Sequence, residues 1–203
     1  MSGTSKSIFG KLRDSRYATR YLVGSGIDIG SGPDPLGQFY EFFPGMNCRG
    51  WDLDDGDAQY LESIPDETLD FVHSSHCLEH MVDPWIALNH WIRVLKPGGH
   101  LICLIPDEDL YEQGVWPSTF NDDHKHTFTI GKQTSWSPVS INLLQMLDAV
   151  KAEASVLKIE LLDATFRTDM ARLTGQPRFD QTLTYVAESG IEFILRKRPK
   201  GGA

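Results

Sequence analysis

Short apolar runs alternate with stretches of helical period through the first half of this chain. Residues 26–29 (GIDI), 48–53, 69–74 (LDFVHS) and 100–106 (HLICLIP) have the length and β-branched or aromatic content of strands. Between them lie helix-like segments. Residues 11–22 are amphipathic, with Leu12, Tyr17, Tyr21 and Leu22 available for burial, and stop at Gly24-Ser25-Gly26. Residues 36–43 form a short helical segment closed by Pro44-Gly45. Pro84 opens PWIALNHWIRVL at the first turn, where its missing N–H costs nothing, and Lys96-Pro97-Gly98-Gly99 ends it. A helix over 141–150 and strands over 156–162 and 191–195 follow. Residues 107–137 carry no clear period and read as a long functional loop or lid.

Strand–helix alternation predicts an α/β fold, a parallel sheet with helices on both faces, with the two late strands paired at one edge. The 203 residues, 40% apolar, with no repeat and no composition break, suit one domain over 1–203. Its N-terminal part, 1–23, is helical, and residues 196–203 read as a solvated basic tail after the last strand. No apolar run is long enough for a membrane span, and MSGTSKSIFGK lacks the apolar region of a secretory signal. Three dispersed cysteines, Cys48, Cys77 and Cys103, with no C-x-x-C pair, point to reduced thiols in the cytoplasm. A net charge of −9 argues against a nucleic-acid partner.

In open α/β sheets ligands sit beyond the carboxyl ends of the strands. The first strand runs into Asp28-x-Gly30-x-Gly32, where glycines permit close backbone approach. A dinucleotide fingerprint would need glycine at 35. Pro35 stands there, and Pro33 removes a second N–H, so a nicotinamide cofactor is disfavoured. The second strand ends on Asp52 and Leu53, with Asp57-Ala58 close behind. An acid at this place can accept from both hydroxyls of a ribose, although DLDDGD is also ordinary turn chemistry.

The ordered series GIDIGSGPDPLG, GWDLDDGDAQYL, IPDETLDFVHSSHCLEHMVDP and WIRVLKPGGHLICLIPD resembles the class I S-adenosylmethionine-dependent methyltransferases over residues 24–107. Within them it resembles the small single-domain branch, and the later HKHTFT and IEFILRKR are similar to methyltransferases of polysaccharide pathways. The resemblance implies a Rossmann-like doubly wound sheet of seven strands, mostly parallel, with an antiparallel edge strand. It implies S-adenosyl-L-methionine as cofactor and S-adenosyl-L-homocysteine as product. By position, Asp28, Gly30 and Gly32 match the loop around the methionine part. Asp52 and Leu53 match the ribose end, Asp57 and Ala58 the adenine side, and Ser74, Ser75 and His76 the segment facing the transferable methyl. Asp34 stands where the family's loop usually has a third glycine.

His76-Cys77-Leu78-Glu79-His80 also fits H-x-x-E-H, the inverted zinc-protease signature. His76 follows a strand end too closely to share a helix with His80, and Asp83-Pro84 breaks the run. A zinc hydrolase using His76 and His80 is therefore a remote alternative, and no metal is expected. The expected reaction is methyl transfer to a small-molecule or carbohydrate-like acceptor, with a hydroxyl the first choice. A hydroxyl acceptor needs a base, and His124 or His126, with Asp107 second, are the candidates. Asp122 or Asp123 beside the histidines leaves a metal pair open there. The rival reading is a cofactor-binding but non-catalytic partner subunit.

Overall fold

A computed structural model describes residues 3–169, 175–176, 178–184 and 187–199. Its strands are β1 (Gly24–Ile29), β2 (Met46–Trp51), β3 (Leu69–Ser75), β4 (Leu95–Pro106), β5 (Thr127–Thr129), β6 (Ser140–Asn142), β7 (Ala154–Leu162) and β8 (Gly190–Lys197). Six of them form the main sheet in the order β2-β1-β3-β4-β8-β7. The first four run parallel, β8 is antiparallel to β4, and β7 is antiparallel to β8. β5 and β6 make a separate small parallel pair.

The sheet has six strands among the described residues, not the seven the family resemblance implies. The reason lies between β2 and β3. Residues 52–68 are rich in Asp, Gly and Pro and fold as successive turns, closed by Asp55 N–H to Asp52, Tyr60 N–H to Asp57 and Ile64 N–H to Leu61. No further apolar run is there to extend the β2 edge.

Residues alternate across the central strands as the pleat requires. Val72, Leu101 and Cys103 enter a core with Leu88 and Trp91 of helix α2 (Pro84–Arg93). Phe71 and Ile102 face the other way, onto Tyr17, Tyr21 and Phe43. With both faces covered, the carboxyl-terminal halves of β3 and β4 are continuously buried. Asp83 starts α2, its carboxylate accepting from Trp85 N and Ile86 N at 3.0 Å each.

Three expectations change. The first helix, α1, spans Gly3–Arg13, and a separate wide turn covers Tyr17–Tyr21. Asp14 divides them: its carboxylate accepts from Arg16 N and its carbonyl from Tyr17 N, restarting the helix. Tyr17, Tyr21 and Leu22 are buried, but Leu12 is exposed. The basic tail begins later than residue 196. β8 continues through Lys197, whose buried ammonium donates to the carbonyls of Arg93 and Leu95, and residues 200–203 lie outside the described residues.

Residues 107–137, lacking period, are nevertheless held in place. Glu108, fully buried, accepts from Thr127 Oγ1 (3.2 Å), Lys132 Nζ (3.0 Å), Ser135 Oγ (2.8 Å) and Ser140 Oγ (2.5 Å). One carboxylate thus ties the start of the segment to β5, β6 and the loop between them. Phe128 belongs to the main core. Tyr111 packs edge-on against Phe120, and the Arg178 guanidinium lies over the Phe120 ring. These aromatics anchor the segment.

Candidate functional site

The carboxyl ends of β1, β2, β3 and β4 converge on one edge of the sheet, and most of the predicted site residues lie there. Asp28 is buried on β1. One oxygen accepts from Leu36 N at 2.7 Å and the other meets His73 Nδ1 at 2.6 Å. Both oxygens are therefore engaged by protein, and Asp28 shapes the loop that follows. His73 was not among the residues singled out in the sequence. Its place in the alternation of β3, opposite Asp28 in register, is the signal that points to it.

Gly30 and Gly32 both have left-handed backbone, φ 71° and 49°. At Gly30 a Cβ would fall 2.7 Å from the Cβ of Cys77, so the loop rests directly on the turn after β3. At Gly32 a Cβ would meet nothing within 4 Å. The backbone there fronts open space.

Asp52 joins that loop to the end of β2. Its Oδ2 accepts from Gly32 N at 2.9 Å and its Oδ1 from Leu53 N at 2.8 Å. Asp55 returns a bond to the Asp52 N–H, completing a reciprocal cap. Asp52 is exposed, and each oxygen keeps a lone pair. Leu53 is 93% exposed and Asp57 is also exposed, with Asp57 fixing its own turn through Gln59 N at 2.8 Å. Ala58 is half-buried, and its carbonyl accepts from the Trp91 indole at 2.8 Å.

After β3 the chain turns sharply. Ser74 is buried and donates to Ile29 O at 3.3 Å. The buried Ser75 hydroxyl has no partner among the described residues. His76 takes φ 55° and anchors its N–H on Leu104 O. His76 and His80 do not share a regular helix; a three-residue helical turn, Leu78–His80, follows instead.

Asp107, His124 and His126, the base candidates, each bond to a different partner. Asp107, at the end of β4, caps the next turn by accepting from Asp109 N and Leu110 N. Burial, opposed by those N–H donors and helped by the Asp109 carboxylate, raises its carboxyl to about 6. His124 is buried, with Nδ1 2.7 Å from Glu112 Oε1. His126, two residues on, is half-buried and directs Nε2 at the Val82 carbonyl, 3.3 Å away. The segment is fastened by Lys125 N and His126 N, which both donate to the Glu79 carbonyl. Glu79 and Glu112 were assigned no ligand role from sequence.

The comparisons with known proteins bear on the fold that carries these residues. Residues 41–103 match a family model described as a methyltransferase domain. An uncharacterized methyltransferase of Schizosaccharomyces pombe is 38% identical over 64 residues, 32% of this chain and 22% of that protein. The match thus spans about a fifth of that relative's length. A putative methyltransferase from Bacillus halodurans superposes with TM-score 0.60 at 15% identity, covering 95% of this chain and 100% of that one. A SAM-dependent methyltransferase from Archaeoglobus fulgidus gives 0.57 at 18% identity, covering 94% and 93%. The fold is that of the class I S-adenosylmethionine-dependent methyltransferases. Within it, the stretch from just before β2 to the middle of β4 is the part whose sequence matches the methyltransferase domain family. No helix among the described residues is long and apolar enough to cross a membrane.

Proposed function

We propose that this chain is an S-adenosylmethionine-dependent methyltransferase acting on a hydroxyl of a small or carbohydrate-like acceptor. The observation that carries the reading is the junction of Gly32 N–H with the Asp52 carboxylate. It sets an open, left-handed glycine backbone beside an exposed acid with lone pairs to spare. A ribose carrying two hydroxyls fits such an acid, and the methionine part of the cofactor fits the glycine backbone.

When bound, the sulfonium supplies an electrophilic methyl group. The residues of this chain do the rest. Asp28, through Leu36 N and His73, holds the loop in its path. Gly30 lets that loop lie on Cys77. Asp52 and Asp57 would hold the ribose and adenine side, and the unpartnered Ser75 hydroxyl would be free to donate to the methionine part. Methyl transfer to an alcohol breaks the S–C bond, forms an O–C bond and releases the hydroxyl proton. Asp107, with its acidity brought to about 6, is the group suited to take that proton near neutral pH. Holding donor and acceptor in line contributes on the order of 7–11 kcal/mol to such reactions.

Calorimetric titration with S-adenosylhomocysteine tests the reading. The protein should bind it, and Asp52→Ala should weaken binding by about 1.5–3 kcal/mol, the range for hydrogen bonds to a charged group. Unchanged affinity in a folded Asp52→Ala protein would remove Asp52 from the site. No binding by the parent protein would remove the function.

A further inference from the structure

Glu79 presents a problem of buried charge. Its side chain is fully buried, and neither carboxylate oxygen has a hydrogen-bond donor among the described residues. A carboxylate in that state is costly unless opposite charge stands close by. What surrounds it is a ring of imidazoles. His80 Nε2 is 3.8 Å and His124 Nε2 3.9 Å from Glu79 Oε1, and His76 Nδ1 approaches the same oxygen at 3.6 Å. These separations are too long for hydrogen bonds.

The far sides of the two imidazoles decide their tautomers. His80 Nδ1 lies 3.1 Å from the Asp123 carbonyl and 3.0 Å from Asp123 Oδ2. His124 Nδ1 lies 2.7 Å from Glu112 Oε1. Carbonyl and carboxylate oxygens only accept, so in both rings Nδ1 carries the proton and donates it. In the neutral rings Nε2 then carries a lone pair, and in both it faces Glu79. Two lone pairs and a carboxylate are thus aimed at one another with no donor between them. That arrangement repels itself unless a further proton on one of the imidazoles, His76 among them, or a metal cation at its centre offsets the charge.

We infer that Glu79, His80 and His124 form a binding site for one divalent transition-metal ion of the zinc class. Their ligand atoms all lie within 4.8 Å of one another. Ligands about 2.0–2.1 Å from a tetrahedral ion stand roughly 3.3 Å apart, so contraction by roughly half an ångström brings either histidine into range of the shared oxygen, and closing the full set from within 4.8 Å takes a side-chain rotation. Two imidazoles and one carboxylate select zinc, iron, cobalt or nickel over magnesium or calcium. Asp123 and Glu112 occupy the place of the carboxylates that orient metal-bound histidines and raise their basicity. Three protein ligands leave at least one position for water or for an oxygen of a bound molecule. The H-x-x-E-H match supplies two of the ligands, Glu79 and His80. The third comes from His124, docked beside them by the two backbone bonds to the Glu79 carbonyl. This site stands whether or not the chain transfers methyl groups.

The experiment is metal titration of the full chain after chelator treatment and removal of the chelator. Zinc is followed by calorimetry, and cobalt by its visible absorption. One zinc per chain should bind at micromolar or lower dissociation constant, and cobalt should give the bands of a four- or five-coordinate ion. Glu79→Gln, His80→Asn and His124→Asn should each weaken binding at least 100-fold. Glu112→Gln should weaken it about 10–100-fold. His90→Ala, on α2 outside the cluster, should leave it unchanged. Failure of the parent protein to bind either ion at 100 micromolar would overturn the inference, whatever the variants do. So would one-to-one binding that survives both His124→Asn and Glu79→Gln. S-adenosylhomocysteine titrated in the presence of chelator gives the separate answer on the methyltransferase reading.

Discussion

Two regions at the carboxyl edge of the sheet handle negative charge in opposite ways. Beyond β2, Asp52 and Asp57 are exposed and accept from backbone N–H groups of their own turns and, for Asp52, of the Gly32 loop. Beyond β3 and β4, Glu79, Glu108 and Glu112 are all buried to 1% exposure or less. They meet histidines, serines, a threonine and a lysine from distant parts of the chain. An exposed acid on its own turn costs little and remains available to a ligand. A buried acid is costly until its partners arrive, so it fixes the segment that supplies them. The first kind of carboxylate is open to a ligand from solvent, and the second kind draws in groups from distant parts of the fold.

Removing one of the second kind should therefore cost most. Glu108→Ala leaves Lys132, Thr127, Ser135 and Ser140 without their shared acceptor. Loss of about 3–5 kcal/mol is expected, the range for breaking a buried charged network. Urea unfolding measures it, and amide exchange should quicken first over 127–142. Asp57→Ala, a loss of one exposed turn bond, should cost about 0.5–1.5 kcal/mol. Equal costs for the two would break the distinction.

Acid sharpens the same contrast at two further carboxyls. Glu192, on β8, is buried against Lys11 Nζ at 3.2 Å and Lys158 Nζ at 2.8 Å, with the Tyr17 hydroxyl beside it. Burial alone would raise it, but the two ammonium groups and the hydroxyl hold it at about 2, against an ordinary 4.5. A depressed carboxyl contributes stability that is complete above the unfolded value and lost as pH falls from about 5 toward 2. The amount is about 3 kcal/mol, and Glu192→Gln should abolish that part of the acid sensitivity. Asp107 has the opposite sign. Raised from 3.8 to about 6, it imposes no penalty below pH 4 and a growing one up to pH 6. Asp107→Asn, whose amide oxygen can still cap the turn, should gain up to about 3 kcal/mol at pH 7.5 and nothing at pH 3.5. If Asp107 is the base, the same variant loses turnover while it gains stability. A folded variant that keeps full turnover would remove Asp107 from that role.

The six strands of the main sheet were legible because each is a short apolar or alternating run close to Gly, Pro or Asp, and that pattern depends only on near neighbours. The seventh strand came from family likeness and had no apolar run behind it. Asp52 and Gly32 were legible as strand-end residues, and their mutual hydrogen bond was not, since it joins two different loops. The segment after β4 was opaque for a related reason. Its order comes from Glu108, a single charged residue with no periodic neighbours, acting on partners 19 to 32 positions away. Glu79 stands in the sequence only as the glutamate of the H-x-x-E-H match, because its other neighbour, His124, arrives only with the folded chain.

The smallest expected effect separates the two histidines of HKHTF. In the sequence both are equal candidates for the base. His124 is buried between Glu112 and Glu79, with its ring 5.0 Å from that of His80 and 5.1 Å from that of Tyr111. His126 spends its Nε2 on one carbonyl and remains half-exposed. His124→Ala leaves two buried carboxylates short of a partner and should cost about 2–4 kcal/mol. His126→Ala removes one long hydrogen bond at the surface and should stay within about 0.5 kcal/mol of the parent. Thermal unfolding of the two variants side by side decides it. If His126→Ala proved as damaging as His124→Ala, the two histidines would belong to one cluster. The lone-pair geometry assigned to Glu79, His80 and His124 would then have to include His126 as well.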